Sequence, residues 1–90
     1  GPAPEADEDL LLDIDRKLAE GRTDDAESLL LKCVGEDCNS RWNSLAVVYE
    51  SRNERERAVK VYRHLFDLEK NEAEKRRIAD HLKALDSSTH

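Results

Sequence analysis

The chain has no methionine, and among its 90 residues are only two prolines, three glycines, two cysteines and four aromatic side chains. Each scarcity removes a possibility. So little Gly and Pro cannot supply the turns of a β-sandwich or barrel, and the charged, Leu- and Ala-containing remainder favours helices. Two cysteines are too few for a disulfide scaffold, and Cys33 and Cys38 stand too far apart for a CxxC redox pair. A bridge between them is conceivable in an oxidising compartment, but reduced, partly buried thiols are the expected state. Zinc would need two further ligands, and His64 and His81 lack ligand-type spacing to the cysteines, so no metal site is expected. No apolar run approaches the length of a membrane span and no basic-then-apolar leader is present, so the piece is expected to be soluble as it stands. There is no glycine-rich phosphate loop and no Ser, His and acid constellation. Neither an enzyme nor a cofactor is expected.

Charge is abundant and unevenly placed. The net charge is −6, which argues against nucleic acid as a partner because phosphate binding needs clustered Lys and Arg. Residues 1–27 carry ten acids against three bases, while the remainder carries eleven against twelve. Most of this acidity is expected to be a solvated helix face. Arg55, Arg57, Lys60 and Arg63 are interleaved with Glu54, Glu56 and Asp67, which predicts a salt-bridged surface in place of a basic stripe.

Hydrophobic spacing predicts five helices. The first runs from about Asp7 to Glu20 with Leu10, Leu11, Ile14 and Leu18 on one stripe, and Gly21 stops it. Thr23 should cap the second, whose stripe is Ala26, Leu29, Leu30, Cys33 and Val34 and which Gly35 ends; Asp24 and Asp25 are first-turn charges that suit its dipole. A polar loop, residues 36–39, leads to a third helix capped by Asn39 or Ser40 and buried along Trp42, Leu45, Ala46, Val48 and Tyr49. Asn53 can take the left-handed conformation and should do there what Gly21 does earlier. The fourth helix, from about Glu54 to Leu68, buries Ala58, Val61, Tyr62, Leu65 and Phe66. The fifth begins after the cap Asn71 and shows one apolar seam, Ile78, Ala79, Leu82 and Leu85, on an otherwise charged surface.

The helices repeat. Gly21 aligns with Asn53, Ala26 with Ala58, Leu30 with Tyr62 and Cys33 with Leu65, always at an offset of 32. In the second copy the run Trp42, Leu45, Ala46, Tyr49, Ala58, Tyr62, Leu65 closely resembles the tetratricopeptide repeat. The first copy is degenerate, with Leu10 in the place of Trp42 and Lys17 in that of Tyr49.

The resemblance implies an all-α stack of antiparallel helical hairpins, an α-solenoid, over residues 7–86: repeat 1 at 7–35, repeat 2 at 39–70 and a capping helix at 71–86. Gly1-Pro2 reads as the scar of a protease cut, so residues 1–6 are expected to stand outside the fold, as is the tail 87–90. The resemblance further implies a scaffold that binds a peptide or a partner protein in a groove lined by the first helix of each hairpin, with Leu11, Asp15, Leu18, Asn43, Val47, Glu50 and His81 as candidate lining. Leu11 and Leu18 fit the core as well. The branch of the family that clamps the carboxylate tail of heat-shock chaperones uses Lys, Asn and Arg. Only Asn43 or Ser44 matches here and Asp13 and Asp15 would repel a carboxylate, so that ligand is not expected. The alternative is a self-associating or spacer module, because two repeats and a cap are few for closing a continuous core.

Overall fold

A computed structural model describes residues 8–87 of the chain. They form α1 (Glu8–Ala19), α2 (Thr23–Leu30), α3 (Glu36–Ser51), α4 (Arg55–Leu68) and α5 (Glu72–Ser87), with no strand among the described residues. Successive helices pack on one another, and α1 also reaches α3, so the second hairpin lies across the first and α5 closes against α4. Residues 1–6, Asp7 and the tail from 88 onward lie outside the described residues.

The two hairpins turn by the same device. Gly21 donates its N–H to the carbonyl of Leu18 (3.1 Å) and Arg22 to that of Lys17 (2.9 Å). At the same offset of 32, Asn53 donates to Glu50 (3.0 Å) and Glu54 to Tyr49 (2.9 Å). These paired bonds satisfy the last carbonyls of a helix when the residue after it is left-handed. Gly21 and Asn53 have φ of 74° and 61°, as their positions predict. The turns then lock side by side: the Arg52 guanidinium donates to the Gly21 carbonyl at 2.7 Å, and Arg57 reaches from α4 to Asp24 on α2 at 3.3 Å.

One contiguous core runs through all five helices, from Ile14 on α1 to Ile78 on α5. Ala26, Leu45, Ala46 and Ala58 have no exposed surface, and Leu30, Trp42, Tyr49, Tyr62 and Leu65 are buried around them. The alanines are small where neighbouring helices converge, which lets the aromatic rings fill the wedge beside them. Trp42 packs edge-on against the His64 ring with centroids 4.7 Å apart.

The inter-hairpin segment departs from expectation. Cys33 and Cys38 are joined in a disulfide, so the reduced thiols expected from their number and setting are corrected. α2 ends at Leu30, not Gly35. Its last turn tightens through bonds from Lys32 to Leu29 and from Cys33 to Leu30, and the bridge then draws the chain toward α3. Val34, expected in the buried stripe, is 52% exposed as a result. Residues 36–39, expected as a loop, form the first turn of α3. Glu36 and Asp37 suit the positive end of its dipole, and Cys38 extends its buried stripe one turn back from Trp42. Neither Asn39 nor Ser40 caps it; Gly35 does, at φ 115°. Thr23 is likewise inside its helix, buried, with Arg22 in the cap position. Asn71 caps α5 as expected, its Oδ1 accepting the N–H of Glu74 at 3.0 Å.

Two substitutions test this packing by urea unfolding. Ala58→Leu should cost about 1–3 kcal/mol through overpacking between α3 and α4. Gly21→Ala should cost about 1–2 kcal/mol, because alanine is strained at that φ and its Cβ would run into the Arg52 guanidinium.

Candidate interaction groove

The residues predicted to line a groove lie on α1, α3 and α5, and the structure gives them different surroundings. Leu11 is buried and Leu18 is half-buried against the core, which is the alternative setting that the sequence allows for both. An amphipathic helix at the end of a stack buries one stripe, and α1 turns Leu11 and Ile14 inward while Leu12 stays exposed. Val47, one position round α3 from Ala46, is 50% exposed and available.

The polar members are held by neighbours. Asp15 accepts two hydrogen bonds from Arg41, at 2.9 Å to each oxygen, which ties α1 to α3 in a bidentate pair. Asn43 Oδ1 is 3.5 Å from the Arg77 guanidinium of α5. Glu50 Oε2 accepts the Tyr62 hydroxyl at 2.6 Å and lies 2.9 Å from His81 Nε2, so one carboxylate joins α3, α4 and α5. The Tyr62 and His81 rings meet edge to face, with centroids 4.9 Å apart. The first hairpin uses a related bond: the Tyr49 hydroxyl donates to Glu27 at 3.0 Å, linking α3 to α2.

These bonds shift the groups that make them. Partial burial acts to raise the Glu50 carboxyl, but the hydrogen bonds from Tyr62 and His81 outweigh it and hold the group below the ordinary carboxylate range. Burial, reinforced by Glu50, pushes the Tyr62 hydroxyl up, and burial with Glu27 does the same to Tyr49.

No Cα of α5 comes within 8 Å of one in α3, so these two helices are bridged by side chains alone. Between their N-terminal halves opens a cleft of about 670 Å³. Its floor includes Leu65 and Ile78, its α3 wall is Asn39, Ser40, Asn43 and Ser44, and Glu74 and Arg77 stand opposite. The cleft therefore combines a buried apolar base with amides that can donate, while the Ser40 and Ser44 hydroxyls, which donate to the carbonyls of Asp37 and Ser40, present acceptor lone pairs. Of the residues expected to line a groove, Asn43 alone lines this cleft; Leu65, expected in the repeat core, forms part of its floor, and Arg77 was not among the expected lining. Arg77 follows Asn43 by 34 residues, the usual period of the repeat that the chain resembles, and that spacing was the signal available.

With this geometry in place, comparison with known proteins adds one match. Residues 42–76 match the family model described as Tetratricopeptide repeat, and this segment of the chain is a tetratricopeptide repeat. No curated protein and no solved structure matches the chain.

The Glu50 linkage has a definite sign. A carboxyl whose folded pKa is depressed contributes stability above its ordinary value of about 4.3 and loses that contribution as pH falls through the lower folded value. Wild-type protein should thus lose more of its urea midpoint between pH 7 and pH 3 than Glu50→Gln does. Tyrosine absorbance should titrate above the usual value of about 10, which places the corresponding loss of stability on the alkaline side.

Proposed function

We propose that this chain is a protein-interaction module that holds a peptide or a segment of a partner protein in the groove between α3 and its neighbours. The observation that carries this reading is the open cleft of about 670 Å³, with its buried floor of Leu65 and Ile78 and its walls of paired amide and hydroxyl groups. A tetratricopeptide repeat is in general a protein-interaction element and typically not an enzyme. An extended segment has unpaired backbone N–H and C=O groups, and side chains such as Asn39, Asn43, Ser40 and Ser44 can answer both.

Within the groove the roles divide. Asn43 and Val47 contact the ligand. Asp15, Glu50 and His81 frame it, because each is bonded to a neighbouring helix and fixes the separation of the walls. Leu11 and Leu18 support α1 from beneath. A wall held by inter-helix bonds is already in place before the ligand arrives, so less ordering is lost on binding.

The test is capture of a natural partner by the full chain and two variants. Val47→Glu and Asn43→Ala should reduce capture while helicity by circular dichroism stays unchanged. Undiminished capture by both variants contradicts the groove.

A further inference from the structure

The cleft does not end at the N-terminus of α3. A second hollow of about 340 Å³ lies over the inter-hairpin segment, and it shares Glu36, Asn39, Glu69 and Asn71 with the first. The two are one trench with a waist. Its far end is apolar, with Val34 and Leu68 lining it at 52% and 40% exposure. Val34 stands inside the short span closed by the Cys33–Cys38 bridge, so that end is held in shape covalently.

Charge changes along the trench. In the near arm Glu74 and Arg77 neutralise each other at 3.1 Å. At the waist Glu36 forms no ion pair among the described residues, and Glu69 accepts the N–H groups of Lys70 and Asn71 through Oε1 alone. Two carboxylates thus flank the passage, and the exposed Lys70 at the far end offsets one of them. One net negative charge remains beside an apolar hollow. An anion is disfavoured there, because the acids Glu36 and Asp37 already occupy the first turn of α3.

We propose that the trench takes an extended peptide segment with a single Lys or Arg seated between Glu36 and Glu69 and an aliphatic residue beside it in the Val34–Leu68 hollow. This rests on the groove reading above and adds the chemistry of the ligand. The cation answers the net charge of the waist, the aliphatic side chain removes Val34 and Leu68 from water, and the peptide backbone continues along the amides of the cleft.

The experiment pans random phage-displayed heptapeptides on the full chain, then titrates the enriched sequences as labelled synthetic peptides by fluorescence anisotropy. The proteins compared are wild type, Glu36→Gln/Glu69→Gln, Val34→Ser, Asn43→Ala and Lys60→Gln, each checked for unchanged helicity. Enriched peptides should carry Lys or Arg next to an aliphatic residue. Their affinity should fall about tenfold in the double variant and in Val34→Ser, while Lys60→Gln, an exposed position on α4 outside the trench, changes it by less than about twofold. Enrichment without a cation, or affinity indifferent to Glu36 and Glu69 but lost in Asn43→Ala, overturns the trench and leaves the groove standing. Failure to enrich any peptide also overturns the trench, and the groove is then decided by partner capture alone.

Discussion

The packing of α3 on α4 through small residues is the constraint from which the remaining structure follows. Ala46 and Ala58 have no exposed surface, and Tyr49, Tyr62 and Trp42 are buried alongside them. A methyl group at such a crossing fixes how near two helix axes come, and the ring next to it fills the space that a larger pair would have claimed. Because the rings are tyrosines, their hydroxyls emerge at the helix margins and must find acceptors. Glu27 receives one and Glu50 the other, and those bonds reach α2 and, through His81, α5. Packing within one hairpin therefore sets the partners of the helices on either side.

The groove is a by-product of that geometry. α5 rests on α4, with Ile78 buried in the core, and Arg77 and His81 reach from it to α3, so the N-terminal halves of α3 and α5 stand apart over Leu65. The ion pair of Arg41 with Asp15 plays the corresponding part between α1 and α3, although its partial exposure limits what it adds to stability.

Much of the fold is legible in the sequence because its signals are local. The left-handed turns at Gly21 and Asn53 need residues that tolerate positive φ, and few residue types do. Asn71 announces α5 by the chemistry of its own side chain. The alanine spacing identifies the hairpin seam. The inter-hairpin segment is less legible, since the number and spacing of Cys33 and Cys38 leave their oxidation state open, and around their bridge α2 ends at Leu30 and residues 36–39 join α3. The groove is partly legible. Register places Asn43, Val47 and Glu50 on one face of α3, but which acids are bonded and which stand free depends on side chains brought in from other helices, such as Tyr62, Arg41 and Arg77. Leu11 and Leu18 show the limit of register alone. Both lie at groove positions by alignment, yet Leu11 is buried and Leu18 is half-buried against the core.

Native-state hydrogen exchange tests most directly whether the α3–α4 hairpin is the foundation of the stack. The account predicts that the slowest amides lie at residues 45–49 of α3 and 58–65 of α4, exchanging only through global unfolding, while α5 and α1 open at lower free energy. Equal protection in all five helices, or slower exchange in α1 and α2 than in α3 and α4, would contradict it.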